Sequence, residues 1–520
     1  MRIIQILLNF KDLVWYTTHS KIKMALIYDN LLSLISIQNV VLLVFVILLA
    51  LWLLKSNNNL PPGPRGWPII GSIPYMFGEP HETFEEWTRI YGDIFTVKLG
   101  RETVVILNGS DVVKQALKDQ GERFIDRKII PIVEFGYTIK GGIAFRNGHP
   151  WLELRRWSSS FLRDYCHGKK GLLGRQLNLE SQLTIEAEHL CQEFGKREKP
   201  FNPFHCINNA VSNIISIICF GDRFEYNDPK YKELLEGLGY LFDCTGFVSA
   251  LNAFPILYYT PVYKQFRKTL LHTKSFLNDI IKRHEETFDS EDIRDIIDAY
   301  LLELQKDDVD TSVFSKDVLW RTILDLFVAG TDTVTSTLAF TIAFLVNYPE
   351  VQKKLQKEVD EVIGQKKPKW SDRHSMPYLE ATIMEIQRLG NVVPFFGRRT
   401  SDCVKINGYE IPADTTVLVN LFSVHRHSDK WARPLNFEPD RFLDDLKNIQ
   451  KQEALLPFGI GRRLCIGELM AKMELFLFTA NLIQRFQFKV PEGRCAPSVH
   501  DCLSGITRRP KPFEICAIKR

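Results

Sequence analysis

The chain has 520 residues, 45% hydrophobic and 25% charged, a globular composition with far more length than one small module needs. Its 66 Lys and Arg against 62 Asp and Glu leave a formal charge of +4, too near balance for a dedicated nucleic-acid binder. The 10 cysteines include no C-x-x-C pair, which disfavours a disulfide framework and a zinc finger.

In chain order, residues 1–30 read as an N-terminal extension and residues 31–54 as a transmembrane helix. Every residue from Val40 to Leu54 is apolar, and Leu31 to Ile37 extends the run with Ser33 and Ser36 as interruptions. That span reaches the roughly 20 residues a bilayer helix needs. It has no small-x-small cleavage site and ends Trp52-Leu53-Leu54-Lys55, so an uncleaved anchor fits better than a signal peptide. Orientation is divided, with Arg2, Lys11, Lys21 and Lys23 before the anchor and Lys55 and Arg65 after it. Translation from Met24 would leave only Asp29 ahead of the anchor and place the body in the cytosol; residues 1–23 read alternatively as a weak mitochondrial presequence. Residues 55–68 are expected to be a linker, with Pro61-Pro62-Gly63-Pro64 as a stiff hinge that forbids a continuing helix.

The body, 69–520, is expected to be mainly α with small β-sheets. Ile94–Leu99 and Thr103–Leu107 flank Gly100-Arg101-Glu102 as a hairpin. Helical periodicity follows at 111–118, 151–161, 177–194, 208–220, 263–284, 318–346 and 350–363, with later strands near 404–411 and 415–420. No repeat and no second linker interrupts it.

The most informative segment is Phe458-Gly459-Ile460-Gly461-Arg462-Arg463-Leu464-Cys465-Ile466-Gly467, followed by a helical run from Glu468 to Phe486. Two glycines permit tight turns, and a thiolate just before a helix N-terminus is stabilised by the dipole and by backbone N–H groups. A lone cysteine there is most often a small buried hydrophobe. The whole segment, however, resembles the haem-binding signature F-G-x-G-x-R-x-C-x-G of the cytochromes P450, the haem-thiolate monooxygenases, at every fixed position. The resemblance implies that Cys465 is the axial ligand of haem iron, a ligation that favours O–O cleavage. It implies that Arg463 pairs with a haem propionate and that Phe458 and Gly459 pack beside the sulfur.

Other segments carry the same resemblance in the family's order. Glu385-Ile386-Gln387-Arg388 matches E-x-x-R, and Arg441 in Phe437-Glu438-Pro439-Asp440-Arg441-Phe442 completes the implied buried triad Glu385, Arg388 and Arg441, with Asp440 replacing the usual Glu. Ala329-Gly330-Thr331-Asp332-Thr333 lies in a helical stretch about 45 Å long. A glycine within a helix costs about 1 kcal/mol against alanine and asks for a reason. The resemblance supplies close passage over the haem at Ala329 and Gly330, room for O2, and a proton relay through Asp332 and Thr333. The plainer alternatives are back-bonding of Thr333 to the preceding turn and an interior ion pair for Asp332. Trp151 and Arg155 match W-x-x-x-R, donors on one helix face for a propionate, and Arg398, with Arg399 and Arg127 as further candidates, is assigned to the other. The apolar residues Phe145, Ala329, Val393, Phe395 and Phe396 are candidates for the substrate pocket.

The implied protein is a membrane-anchored monooxygenase resembling the microsomal branch and the animal family-two clan. It would insert one atom of O2 into a hydrophobic small molecule (sterol, fatty acid or xenobiotic) and reduce the other atom to water with two electrons. Its expected cofactor is haem b, and no flavin or nicotinamide domain is visible. The resemblance therefore implies electrons from NADPH-cytochrome P450 reductase, with cytochrome b5 as a second donor, and a place in the endoplasmic reticulum membrane with the catalytic domain cytosolic. The alternatives are a haem-thiolate isomerase or dehydratase and a non-catalytic membrane haem-binding protein; the Asp332-Thr333 pair argues against both.

Overall fold

The computed structural model describes residues 37–54, 60–76, 79–100, 102–129, 131–137, 141–168, 178–244 and 250–520. The expected extension 1–30, the first residues of the expected anchor (31–36) and the first part of the linker (55–59) lie outside the described residues. The chain divides into two units, 1–59 and 60–520. The described part of the first is one helix, α1 (Ile37–Leu54), whose side chains from Gln38 to Ile47 are all exposed. Eighteen residues make it about 27 Å long, close to the apolar thickness of a bilayer.

The second unit begins earlier than the expected boundary. The Pro62 carbonyl accepts the Thr96 N–H at 2.8 Å, and a Cβ at Gly63 would overlap the Thr96 carbonyl oxygen. Residues 60–68 are thus laid against a strand of the body and do not form a free spacer. The hinge prolines preset an extended path that suits this docking as well as it suits a linker.

Helices of nine or more residues dominate the body: α2 (Pro80–Tyr91), α3 (Gly148–His167), α4 (Leu179–Gly195), α5 (Phe204–Phe220), α6 (Pro229–Cys244), α7 (Lys264–Glu286), α8 (Ile296–Leu304), α9 (Lys316–Asn347), α10 (Pro349–Val362), α11 (Pro377–Gly390) and α12 (Glu468–Arg485). Helix α9 is the axis of the fold. Ser315 caps its N-terminus by accepting the Val318 N–H, and its 32 residues pack against α5, α11 and α12. Residues 318–327 and 334–346 of α9 are all buried. A helix apolar nearly all round belongs in a core, so this length and hydropathy mark an interior helix.

A four-stranded sheet, in the order β1 (Ile94–Leu99), β2 (Glu102–Leu107), β6 (Thr416–Asn420), β3 (Phe395–Arg399), stands beside the helices. The β1–β2 hairpin is as expected, while β6 joins parallel to β2 with Val104 opposite Thr416, and β3 closes the edge antiparallel with Phe395 opposite Asn420. Small two-stranded sheets are made by β4 (Val404–Ile406) with β5 (Tyr409–Ile411), β7 (Phe486–Lys489) with β10 (Cys516–Lys519), and β8 (Cys502–Ser504) with β9 (Arg508–Pro510). Strand β3 carries the expected site residues Phe395, Phe396 and Arg398, and its alternation puts them on two faces.

Candidate active site

The loop before α12 closes on itself. Gly459 and Gly461 take φ of +79° and +82°, conformations that L side chains adopt only with strain. At Gly461 a Cβ would also overlap the Leu117 carbonyl oxygen. The Leu464 N–H donates to the Gly461 carbonyl and the Cys465 N–H to that of Phe458, both at 3.1 Å. Cys465 is thereby presented one turn ahead of α12. It is accessible to solvent, yet protein surrounds it closely enough that burial pushes its thiol pKa up, against the opposing pull of the Gly467 N–H and of Arg155 and Arg127. Both observations hold for a sulfur at the floor of a recess.

Four guanidinium groups gather around that recess. Arg398, 3% exposed, donates to the Gly397 carbonyl at 2.9 Å and lies 4.4 Å from the Phe396 ring centre. Burial, followed by Arg127, Arg463 and Arg155, lowers its pKa well below the usual arginine range. The same two causes, burial and like charges, bring Arg463 down to about 9; burial brings Arg127 to about 10 against the pull of Asp325. Among the described residues none of the four forms an ion pair, and Arg127 Nε is buried with no hydrogen-bond partner. Like charges this close, left without ion pairs, suit a bound group that brings two carboxylates and an apolar plane. The residues present therefore fit haem, with an accessible thiol for its iron.

Each expected cofactor residue has a definite place. The Trp151 ring, 2% exposed, has its centre 5.6 Å from the Arg155 guanidinium and 3.8 Å from that of Arg463. Arg155 also donates to the Leu464 carbonyl at 2.6 Å. The guanidinium of Arg463 is held by acceptors of the chain before α3. Its Nε donates to the Ile125 carbonyl at 2.6 Å, and its Nη2 to the Arg146 carbonyl at 2.6 Å and to Asn147 Oδ1 at 2.9 Å. It ties the cysteine loop to the chain before α3, which leaves Arg398, Arg155 and Arg127 as the freer donors. Phe458 and Gly459 sit in the loop, with Gly459 facing the Phe396 ring.

Sequence reasoning missed Asn147. Its amide accepts the Arg127 N–H at 2.9 Å, donates to the Arg127 carbonyl at 2.7 Å and receives Arg463, so one side chain clamps both arginines. An Asn before a helix signals a cap, but here the side chain is diverted from capping, and no local signal announces that.

Within α9 only Val328, Ala329, Gly330, Asp332 and Thr333 break the long buried stretch, and Ala329 is exposed. That window opens the middle of an interior helix. At Gly330 a Cβ would meet Ile215 Cδ1 at 2.9 Å, so the glycine admits α5 against α9. Thr333 Oγ1 donates to the Ala329 carbonyl at 2.7 Å, the plainer alternative, and keeps its lone pairs as acceptors. The Asp332 carboxylate accepts from Thr507 Oγ1 and lies 3.9 Å from Arg509 Nη1. Arg509 in turn pairs with Asp243 at the end of α6 at 2.9 Å. Burial pushes the Asp332 pKa up, with Thr507 and Arg509 opposing.

Glu385 and Arg388, both fully buried, form a two-bond pair at 2.7 and 2.8 Å, and Arg441 Nε reaches Glu385 Oε1 at 3.0 Å. Arg388 also donates to the carbonyls of His425, Pro434 and Asn436. Asp440 faces outward to Lys354 and Lys447, which explains why the shorter acid is tolerated there. Of the expected pocket residues, Phe145, Val393 and Phe396 are half-buried, and Phe396 lies on the Gly459 side of β3. Phe395, also half-buried, lies on the other face of the strand. It packs with Met76, Phe84 and Trp87, its ring 5.3 Å from that of Phe84, because adjacent strand residues point to opposite faces.

Comparison with known proteins gives the family. The cytochrome P450 family model matches residues 61–517. Cytochrome P450 2U1 of Rattus norvegicus is 38% identical over 500 residues, covering 90% of this chain and 92% of the relative. Cytochrome P450 2J5 of Mus musculus is 36% identical over 499 residues (93% and 96%), and cytochrome P450 2D6 of Homo sapiens 38% over 477 residues (88% and 93%). The chain belongs to the cytochrome P450 family and is a monooxygenase, similar to animal family-two members.

Proposed function

We propose that the chain is a membrane-anchored monooxygenase of hydrophobic small molecules, with Cys465 as the thiolate ligand of haem b and electrons drawn from NADPH-cytochrome P450 reductase, cytochrome b5 serving as a second donor. The observation that carries this reading is the convergence of Arg127, Arg155, Arg398 and Arg463, without ion pairs, around an accessible Cys465. Haem, when bound, supplies the activation of O2.

The chain's own residues do the rest. The loop from Phe458 to Gly467 holds the sulfur in place, and the Gly467 N–H stabilises its thiolate. Arg398, Arg155 and Arg127 orient the cofactor's acidic edge, while Arg463 and Asn147 fix the wall that carries them. The accessible turn Ala329–Thr333 lines the opposite side. There Thr333 offers a hydroxyl, and Asp332, its pKa raised by burial, is a carboxyl suited to proton exchange nearer neutral pH. Phe145, Val393 and Phe396 supply apolar contact for a sterol, fatty acid or xenobiotic. Helix α1, apolar and exposed, is the membrane anchor of a body in the cytosol at the endoplasmic reticulum.

The test is the carbon monoxide difference spectrum of the dithionite-reduced protein. A long-wavelength Soret band, lost in Cys465→Ala, is expected; a histidine-type band in fresh native protein would overturn the ligand assignment. Reconstitution with a diflavin reductase should then give an oxidised product from an apolar substrate, and NADPH consumption without product from any of them would favour a haem-binding protein over this enzyme.

A further inference from the structure

A second arginine pair lies in a different part of the body. Helix α2, the turn after β6 and the chain from His500 to Arg508 enclose a cleft of about 140 Å³, lined by His81, Glu82, Phe422, Arg426, His500 and Arg508 among others. Arg508 is 1% exposed; its Nη1 donates to the Gly390 carbonyl at 2.8 Å and its Nη2 to that of His500 at 2.9 Å, but its Nε is buried without a partner. Arg426 Nη2 donates to the Leu389 carbonyl at 2.7 Å, its guanidinium lies 3.5 Å from the Phe422 ring centre, and its Nη1 is likewise buried and unpartnered. Neither arginine forms an ion pair among the described residues.

The surrounding groups do not neutralise them. His81 Nδ1 approaches Glu79 Oε2 at 3.2 Å without hydrogen-bond alignment, and burial, with Arg508 and Arg426, lowers the histidine's pKa to about 3. Glu82, exposed, and Glu85, which binds Arg89, also line the cleft, and Glu79 binds Ser504; Glu85 acts on Arg426, and Glu79 and Glu82 on Arg508, but none of the three pairs with an arginine of the cleft directly. The inner wall therefore carries two guanidinium groups, Arg508 buried and Arg426 half-buried, each with a buried N–H donor left free, and no carboxylate among the described residues forms an ion pair with either. Leaving buried charges unpaired is costly, and guanidinium donors match the oxygens of a phosphate or carboxylate.

We propose that this cleft binds a small oxyanion of the phosphate or carboxylate class, apart from the cysteine recess. The probes are inorganic phosphate and acetate, added to the holoprotein at constant ionic strength with chloride as the control, and the readouts are thermal midpoint and ³¹P line broadening. A saturable rise in midpoint and broadening with phosphate, or a saturable rise with acetate, beyond the effect of chloride is expected. The affinity should fall about tenfold in Arg426→Gln, the size expected for losing one charge-assisted contact. Should that variant fail to fold, His500→Glu at the exposed rim should weaken binding through charge alone. A response equal to that of chloride, or one unchanged in His500→Glu and in a folded Arg426→Gln, would overturn the proposal.

Discussion

The cysteine loop and the accessible turn of α9 are built differently. The cysteine loop is ten consecutive residues, Phe458 to Gly467, whose two glycines and two internal hydrogen bonds set its path. The Ala329–Thr333 side is equally compact in sequence, yet its acid is held by Thr507 and, through Arg509, coupled to Asp243. A motif whose geometry is fixed locally can be read from a window of sequence. One whose side chains are oriented from elsewhere gives only the identity of its groups.

If the cysteine side is as self-contained as its loop suggests, damage behind it should reach the cofactor only by unfolding the protein. Glu385→Ala strips the partner from two buried arginines and should cost about 3–5 kcal/mol, read as a fall in denaturation midpoint together with loss of bound haem. A full midpoint with haem still lost would instead place the triad in direct control of the loop. On the other side, Thr333→Ala leaves the helix intact and should lower turnover by about 10²-fold while substrate binding holds. Unchanged turnover would leave Thr333 with only its back-bond to Ala329.

Glu474 sharpens the comparison within α12. It is fully buried, both carboxylate oxygens lack partners, and burial raises its pKa well above the ordinary value. A carboxyl with a raised folded pKa keeps its proton in the native state, so it costs no stability below the unfolded value. It penalises folding increasingly as pH rises above about 4.3. Glu474→Gln should therefore gain stability as pH rises, by at most about 1.4 kcal/mol per pH unit, and match the parent in acid. Parallel stability–pH curves for the two proteins would refute this.

The smallest expected effect tests the long-range side. Arg509 pulls the Asp332 pKa down and Asp243 pushes it up. Arg509→Gln should therefore move the Asp332 limb of the activity–pH profile to higher pH, whichever protonation state the rate follows, and Asp243→Asn should move it lower. Shifts of the same sign in both variants would show that the network acts on Asp332 by other means.

Much of this protein was legible in its sequence. Helical and strand periodicity, the cysteine loop, the Glu385–Arg388 spacing and the Trp151–Arg155 face depend on neighbours one to four residues apart, where chain geometry leaves few choices. Tertiary structure alone decided that Arg463 spends its donors on the Ile125 and Arg146 carbonyls, that Gly330 yields to Ile215, and that Phe395 turns away from Phe396. It also gathered Arg127, Arg155, Arg398 and Arg463 from four separate segments. The physical reason is the same in each case. Burial forces a polar or bulky group to find whatever partner the packed chain brings to it, and that partner is distant in sequence.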